Sequence, residues 1–568
     1  MDTGFPPEGP IQLPSEFQVN WSKEEHSKLL WIWDDVHSPL PATTLQQSIS
    51  RATGRGIGRA ARELKVPTGG PRRDINGYAY IAYLSSPPPE AEIASHEETI
   101  NKVVPNFKNR WDEEFLPHII SNNKIIKSYS ADQNHTDSLS ARLKNSVEIM
   151  QEHYYIHFLV IFTLFGATEK LSKLYSMITD SKDELEPYEL LQGSMNTSIT
   201  AGKRLSDLAE YIKNDPELID MFRENGAKYL SKVMTNASIK NDLQKIPYGL
   251  FTPRHSLSNR FAEYLEEFGY RSISEDINSK LWIEDPSYPV IALKAYVLSK
   301  MRNLDEDLSV KTNRAGALLN SLLEINREKG IVDESELIST VKHAKDLWPL
   351  REDHAHYIDQ QTNAYMRLLV LECASELKQM NYIEENSDIF HLTLDEVIAS
   401  LEGAPTNLKE TIEGRKKTYR QFLVGSPPRF LGTMPSKPPV ITGELSKFFN
   451  PVAQVNYQNV EELKVIKGTA GSPGIHTGIA RVILTPESFS SVNPGDILVT
   501  RTTNPSWAPI FGIIGGLITD SGGVLSHGAI VAREMNLPAV MGTKGATTLI
   551  VDGQLVTING TTGVITLS

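Results

Sequence analysis

Apolar side chains recur every three to four residues through most of the first three quarters of the chain. Leu205, Leu208 and Ile212 show this spacing, and short breakers such as residues 214–216 interrupt it. A period near 3.6 residues places the apolar side chains on one face of a helix. The pattern therefore predicts a large, mainly α-helical N-terminal region over residues 1–425, with its helices concentrated after residue 106.

Three shorter stretches break this helical pattern. Residues 78–83 alternate aromatic and small side chains, which predicts a small β element near residues 75–85. Residues 426–465 are rich in proline and glycine and are predicted to be a linker, because proline cannot continue a helix. Beyond them, short β-branched runs alternate with one helix, so residues 466–568 are predicted to form a compact α/β domain.

The charge and the cysteine content exclude several classes of protein. A net charge of -13 argues against a general nucleic-acid binder. The single cysteine, Cys373, cannot build a disulfide framework or a cysteine-based zinc site. The N-terminus lacks the basic start and apolar core of a signal peptide, and the apolar stretch at residues 154–167 is too short to span a bilayer. We therefore expect a cytoplasmic protein without membrane or nucleic-acid partners.

One segment of the C-terminal domain has the features of a phosphoryl-carrying site. Gly522 and Gly523 follow a predicted strand and leave room for a bulky anion, and Ser526 is a candidate helix cap. His527 would then begin a helix whose dipole favours the neutral, nucleophilic imidazole. The helix N–H groups would hold the phosphoryl oxygens. The candidate phosphate-binding residues are Gly522, Gly523, Ser526, Gly528 and Arg533, although Arg533 is equally suited to a structural ion pair.

Residues 466–568 resemble the swivelling phosphohistidine domain of the phosphoenolpyruvate (PEP)-utilising, dikinase-type enzymes. Residues 468–474, 503–510 and 522–533 match the motifs of that domain in order. In that family the histidine is phosphorylated, and His527 is the matching position. Pyruvate phosphate dikinases have a regulatory threonine where this chain has Leu525, so the resemblance is closer to rifampicin phosphotransferases and phenylphosphate synthase.

The resemblance extends over the helical region and implies a divided system. Residues 268–286 and 388–428 are similar to rifampicin phosphotransferase, and residues 33–80 are similar to the mobile subunit of phenylphosphate synthase. No segment has the phosphate loop of an ATP-grasp domain or the barrel that binds PEP in true dikinases. Because phenylphosphate synthase carries its nucleotide domain on a separate subunit, the resemblance implies a partner ATP-grasp subunit that uses Mg²⁺ and ATP. This chain itself is expected to hold no permanent cofactor and no metal.

A polar stripe on a predicted helix from Arg351 to Leu371 is the candidate acceptor site, although a solvated face is the alternative. Its members recur every three to four residues and so share one helix face: Glu352, His356, Asp359, Asn363 and Arg367. His356 or His354 is the predicted base, and the predicted phosphate-binding cations are Arg351, Arg367 and Arg271. The full set of predicted substrate-binding residues is Arg351, Glu352, Asp359, Arg367, His153, Arg271, Glu275 and His37.

Some of these candidates have alternative structural roles. His153 and His157 stand one helical turn apart and would equally suit a protein core, as Arg271 and Glu275 would suit a structural ion pair. The assignment of His37 rests on the resemblance alone.

The sequence therefore predicts a phosphotransferase that accepts a phosphoryl group on His527 and transfers it to a small organic hydroxyl or carboxylate. Such a transfer could also activate the acceptor for dehydration or condensation. One alternative is a non-catalytic phosphocarrier or regulatory scaffold. Another is a phosphotransferase whose donor is PEP or a second phosphohistidine protein.

Overall fold

The computed structural model describes residues 8–67, 70–83, 88–131, 136–235, 251–272, 274, 276–298, 304–404, 408–424, 427–436, 465–484 and 486–568. Its α-helices are α1 (Glu24–Ser27), α2 (Thr44–Glu63), α3 (Glu90–Arg110), α4 (Leu116–Ala131), α5 (Leu139–Thr179), α6 (Glu186–Glu189), α7 (Thr197–Lys213), α8 (Pro216–Glu224), α9 (Ala227–Thr235), α10 (Phe251–Phe268), α11 (Ser287–Leu298), α12 (Leu304–Lys329), α13 (Glu334–Leu347), α14 (Leu350–Ala355), α15 (Asn363–Gln379), α16 (Leu394–Leu401), α17 (Leu408–Val424), α18 (Ala508–Phe511), α19 (His527–Glu534) and α20 (Ala546–Leu549).

The strands are β1 (Gly9–Pro10), β2 (Leu30–Trp33), β3 (Arg72–Ile75), β4 (Tyr78–Tyr83), β5 (Phe430–Met434), β6 (Val465–Lys467), β7 (Thr469–Ser472), β8 (Ile475–Val482), β9 (Ile497–Thr500), β10 (Gly516–Thr519), β11 (Ala539–Met541), β12 (Leu555–Asn559) and β13 (Val564–Leu567). Within the described ranges, two segments are π-helical, Trp111–Phe115 and His356–Thr362. The predicted fold class, a large helical region with a C-terminal α/β domain, is confirmed.

The chain divides into two compact units, each built from segments that are far apart in sequence. The first unit contains residues 1–171, 274–279 and 357–446. The second unit contains residues 172–273, 280–356 and 447–568. The C-terminal α/β domain therefore shares one compact unit with part of the helical region. No helix within the described ranges is long and apolar enough to cross a bilayer.

The first unit contains a five-stranded sheet in the order β1-β5-β2-β4-β3. The predicted strand at residues 78–83 is its strand β4, and the predicted linker at residues 426–465 contributes β5. Phe430, Leu431 and Met434 are buried, so this part of the proline-rich segment is held in the sheet rather than forming a free connection. Residues 437–464 of the predicted linker lie outside the described residues.

The second unit contains an eight-stranded sheet in the order β6-β13-β12-β8-β9-β10-β11-β7. Its strands β8, β9, β10 and β11 run parallel to one another, and the remaining pairs are antiparallel. One apolar core joins α7, α10 and α11 to the domain that carries this sheet, with Phe261, Tyr296 and Phe511 fully enclosed. This shared core brings helix α19 against the helical part of the unit.

Helix α7 shows how local sequence prepares this packing. Asn196 lies just before the helix, and its side chain accepts hydrogen bonds from the backbone N–H groups of Ser198 and Ile199. Such a cap satisfies N–H groups that a helix start leaves unpaired. Leu205 and Ile212 then face the core, so the capped first turn and Ser198 have a defined position.

Candidate functional site

His527 begins helix α19, which follows strand β10 and a glycine-containing turn. Gly522 has a φ of +95°, a region that favours glycine, and a Cβ there would lie 2.8 Å from Oγ of Ser526. Ser526 has the extended backbone of a helix cap, but its hydroxyl donates to the carbonyl of Gly523 at 2.8 Å instead of capping the helix. The turn therefore leaves the first N–H groups of α19 without a side-chain cap.

The imidazole of His527 lies against a carboxylate from the helical part of the same unit. Nδ1 of His527 is 3.0 Å from Oε2 of Glu352, and both side chains are buried. A carboxylate only accepts hydrogen bonds when ionised, so the proton on this side of the ring belongs to Nδ1. Nε2 of His527 is buried without a hydrogen-bond partner among the described residues. Whenever the ring is neutral, this pair therefore places its lone pair on Nε2.

Glu352 is held ionised by its surroundings. Burial acts to raise its pKa, but the charge and hydrogen bond of His527, together with Arg351 and Ser198, lower that pKa to about 2. The hydroxyl of Ser198, in the first turn of α7, donates to the same Oε2 atom at 2.7 Å. The sequence predicts only a helix dipole at His527, and the tertiary structure adds a fixed carboxylate beside the ring.

Arg271 lies beside this pair in the same unit. Its Nη1 donates to the carbonyl of Pro505 at 3.1 Å, and its Nη2 donates to the carbonyl of Thr197 at 3.3 Å. Burial lowers its pKa to about 10, and Tyr264 and Glu352 oppose that shift. The Nε atom of Arg271 is buried and has no hydrogen-bond partner among the residues described. Arg271 thus places a cation close to Glu352 and to the segment that precedes α18.

Gly528 makes room for close packing over the start of α19. A Cβ at this position would lie 2.7 Å from Oγ1 of Thr503 and 3.1 Å from side-chain carbons of Leu517 and Met541. The glycine is therefore required because its neighbours approach the helix backbone directly.

Arg533, predicted to bind phosphate, lies in the last turn of α19. Its Nη1 donates to the carbonyl of Gly471 at 2.7 Å, and its guanidinium carbon lies 5.8 Å from the centre of the Tyr188 ring. These contacts tie the end of the helix to strand β7 and to helix α6.

The two predicted bases, His354 and His356, are both buried in the second unit. Nδ1 of His354 bonds to the carbonyl of Leu350, and the ring of His356 packs against Phe268 with a centroid distance of 5.7 Å. His354 is therefore committed to its own helix through Nδ1.

The predicted regular helix from Arg351 to Leu371 is wrong in its middle, because residues 356–362 form a π-helical segment. A π-helical turn holds more residues than an α-helical turn, so the spacing used to draw a single stripe does not hold there. Arg367 lies in the first unit, where its Nη1 donates to the carbonyls of Ile277 and Asn278. Asp359 lies 3.1 Å from Nδ1 of His157 in that same unit.

Three predicted substrate-binding residues remain. Two of them, His37 and His153, lie in the first unit. His37 bonds through Nδ1 to the buried Asp34 at 3.0 Å; burial acts to raise the pKa of Asp34, but His37 lowers it to about 2. His153 bonds through Nδ1 to the hydroxyl of Thr362 at 2.8 Å. Glu275 lies outside the described residues.

Sequence reasoning missed two residues that contact this site. Ser198 had a local signal, since the Asn-Thr-Ser run at residues 196–198 is typical of a helix start. Lys311 had none: it is buried, and its Nζ donates to the backbone carbonyls of Arg533 and Glu534. The lysine reaches the C-terminal end of α19 only through tertiary packing.

Two families match separate parts of the chain. Residues 492–563 match the PEP-utilising enzyme, mobile domain, and this range contains His527. Residues 157–352 match the rifampicin phosphotransferase fourth domain, and this range contains Ser198, Arg271 and Glu352. Both matches are consistent with the PEP-utilising, dikinase-type family. The buried pair thus joins a residue from each of the two matched family domains.

Individual relatives agree with this family. The chain is 31% identical to the uncharacterised phosphotransferase YvkC of Bacillus subtilis over 73% of this chain and 47% of that protein. It is 31% identical to the rifampicin phosphotransferase of Bacillus subtilis over 66% of this chain and 41% of that protein. It is also 29% identical to the chondramide synthase cmdD of Chondromyces crocatus over 98% of this chain and 14% of that protein. The chain spans less than half the length of each of these relatives.

Proposed function

We propose that this chain acts as a phosphotransferase, carrying a phosphoryl group on Nε2 of His527 and passing it to a small organic acceptor held by the helical region. The observation that carries this proposal is the buried pair of His527 and Glu352. It fixes the ring orientation, leaves Nε2 as the nucleophile and places the carrier against the helical part of its own unit. The relatives named as phosphotransferases support the same class of reaction.

The charging step forms one bond and breaks one. Nε2 attacks the phosphorus of the donor, so that an N–P bond forms while the P–O bond to the leaving group breaks and its electron pair leaves with oxygen. The ring acquires positive charge as the N–P bond forms. Glu352, whose carboxylate accepts the Nδ1–H hydrogen bond, stabilises that charge and favours the reaction.

The discharge step returns the electron pair to the ring. The acceptor oxygen attacks phosphorus, the O–P bond forms and the Nε2–P bond breaks. The proton of a hydroxyl acceptor passes to a base, for which His354 and His356, both buried in this unit, are the candidates. Arg271 and Arg351 are cations that interact electrostatically with Glu352 and are suited to stabilise the travelling phosphoryl group.

The donor in this proposal is Mg-ATP bound by an ATP-grasp subunit on another chain. The ATP-grasp subunit would phosphorylate His527, and this chain would then present the phosphohistidine to the acceptor. The product is a phosphoester or an acyl phosphate, according to whether the acceptor oxygen belongs to a hydroxyl or a carboxylate.

A chemical donor tests the carrier separately from any partner. The full-length protein is treated with potassium phosphoramidate, and acid-labile phosphate is assigned to a ring nitrogen by ³¹P NMR. We expect phosphate on Nε2 of the wild type, none at this site in His527→Ala, and a rate on the order of 100-fold lower in Glu352→Gln, because the amide can donate to Nδ1 and move the ring proton to Nε2. Wild type that takes up no more phosphate than His527→Ala would overturn the proposal.

A second arm tests the donor. ATP labelled at either the β or the γ phosphate is added with and without an ATP-grasp protein. Acid-labile label that requires both the ATP-grasp protein and His527 supports the divided system. Label that appears with ATP alone, or with PEP in place of ATP, contradicts it.

A further inference from the structure

The first unit contains buried polar side chains that the carrier mechanism does not use. They lie in and beside the π-helical segment His356–Thr362, where Gln360 and Asn363 are both more than nine-tenths buried. Neither polar atom of Gln360 and neither polar atom of Asn363 has a hydrogen-bond partner within the described ranges. Each such buried amide loses its hydration without replacement, which costs free energy unless a ligand supplies the partners.

A chain of hydrogen bonds fixes a third unpaired atom in the same turn. The amide nitrogen of Asn123 donates to the carbonyl of Tyr357 at 2.8 Å, which directs its oxygen toward Thr362. The hydroxyl of Thr362 donates to that oxygen at 2.9 Å. Since Thr362 has only one proton to donate, the 2.8 Å contact with Nδ1 of His153 has the histidine as donor. Nε2 of His153 is therefore a lone-pair acceptor, and it too is buried and unpaired among the described residues.

These groups are linked by one short stretch of the chain. Gln360 and Asn363 are three residues apart and flank Thr362, which holds the ring of His153. Helices adopt π geometry in short stretches that occur frequently at functional sites. This stretch and the histidine that it holds therefore supply two amides and one imidazole acceptor, a set suited to hydroxyl, amide or carbonyl groups.

The charge of the cluster decides the kind of ligand. The amides of Gln360 and Asn363 are neutral, and burial together with the nearby His118 lowers the pKa of His153 to about 3, so its ring is neutral as well. Asp359 in the same segment is paired with His157. A charged ligand would be buried without a counter-charge from the amides or from His153, which is strongly unfavourable.

We propose that the first unit contains a buried binding site for an uncharged polar small molecule, which Gln360, Asn363 and Nε2 of His153 recognise by hydrogen bonds. The site takes a compound with at least one hydroxyl to donate to His153 and with carbonyl or hydroxyl oxygens to accept from the two amides. The proposal does not depend on His527 or on phosphoryl transfer.

The thermal stability of isosteric variants tests whether the amides of Gln360 and Asn363 lack hydrogen-bond partners when no ligand is bound. We expect Asn363→Leu and Gln360→Met to raise the melting temperature of the full-length protein by about 1–3 °C, because the apolar side chains remove a desolvation cost without leaving a cavity. Gln379→Met is the control. It lies at the exposed end of α15, the helix that begins with Asn363, and should leave the melting temperature unchanged. A fall in melting temperature for both buried variants would show that the amides are paired within the protein and would overturn the proposal.

Binding of defined probes tests the ligand class. The probes are the uncharged phenol, resorcinol, glycerol and ribose, compared with the anions benzoate and glycerol phosphate, each followed by calorimetry. We expect binding of at least one uncharged probe, at least tenfold weaker binding to Asn363→Leu, and unchanged binding to His527→Ala. Binding of the anions alone, equal binding by Asn363→Leu, or no binding of any uncharged probe, as expected if ordered water satisfies these groups, would overturn the proposal. Loss of phosphorylation in His527→Ala with binding retained separates this site from the carrier function.

Discussion

At the scale of single residues, the chemistry depends on how one carboxylate faces one imidazole. Glu352 and His527 are 175 positions apart, and their contact is buried on both sides. Ser198 adds a hydroxyl donor to the same carboxylate oxygen. The carboxylate is therefore ionised, oriented and shielded from solvent, which are the conditions under which it controls the tautomer of the ring.

The depressed pKa of Glu352 predicts a specific loss of stability in acid. The pKa is about 2 in the folded protein and 4.5 without the partners, so the contribution is present above pH 4.5 and is lost as the pH falls toward 2. We expect wild type to lose about 2 kcal/mol more unfolding free energy than Glu352→Gln between pH 5.5 and pH 3. Denaturant unfolding at the two pH values measures this difference. Equal losses in both proteins would contradict the assigned pairing.

At the scale of elements, helix α19 is positioned by its glycines and by its neighbours. Gly522 turns the chain into the helix, and Gly528 allows Thr503 to approach the first turn. The distal end is held by Arg533 and by Lys311. The helix that begins with His527 is thus fixed at both ends, which keeps Nδ1 of the ring on Glu352.

Replacement of Gly528 by alanine tests this close packing. The added Cβ would come within 2.7 Å of Thr503, so the neighbours must move, and we expect a loss of about 1–3 kcal/mol in unfolding free energy. Gly202→Ala in helix α7 is the matched control: a Cβ there meets no atom within 4 Å, and alanine should stabilise the helix by about 0.5–1 kcal/mol. Chemical denaturation gives both values, and equal behaviour of the two variants would show that the start of α19 is loosely packed.

At the scale of the whole molecule, the α/β domain and part of the helical region form one compact unit. Lys311 of helix α12 is a buried cation at the C-terminal end of α19, where helix carbonyls lack partners. Tyr296 of helix α11 donates to the carbonyl of Pro509 at 2.9 Å. These polar contacts lie around an apolar core and fix how the α/β domain packs against the helices of its own unit.

Removal of the Lys311 charge is predicted to loosen this docking. Methionine keeps the length of the side chain but removes the ammonium that donates to the carbonyls of Arg533 and Glu534, so we expect Lys311→Met to cost about 1–3 kcal/mol. Amide hydrogen exchange in residues 527–535 should rise in the same variant. Lys203→Met, which removes an exposed ion pair with Asp305, should change either quantity little. Unchanged exchange in Lys311→Met would show that this lysine does not hold the helix.

Local features of the site were determined by the sequence alone. The strand, the paired glycines and the helix that begins with His527 lie within about twenty residues, and such short-range signals depend on backbone preferences and periodicity. The same reasoning identified β4 at residues 78–83 and the α/β class of residues 466–568. It placed Glu352 and His356 on a polar face, but it assigned that face to a regular helix that the π-helical turn interrupts.

Only the tertiary structure decided which residue faces His527. Glu352 lies in α14, Ser198 in α7 and Arg271 shortly after the end of α10. A sequence pattern predicts which face of a helix a residue occupies, but not which residue that face contacts. Burial then determines the chemistry, because the same carboxylate would be an ordinary surface acid outside this unit. The sequence determined that His527 stands at the start of a helix. The packing of segments distant in sequence determined that its Nδ1 meets a carboxylate, and that its Nε2 has no hydrogen-bond partner among the described residues.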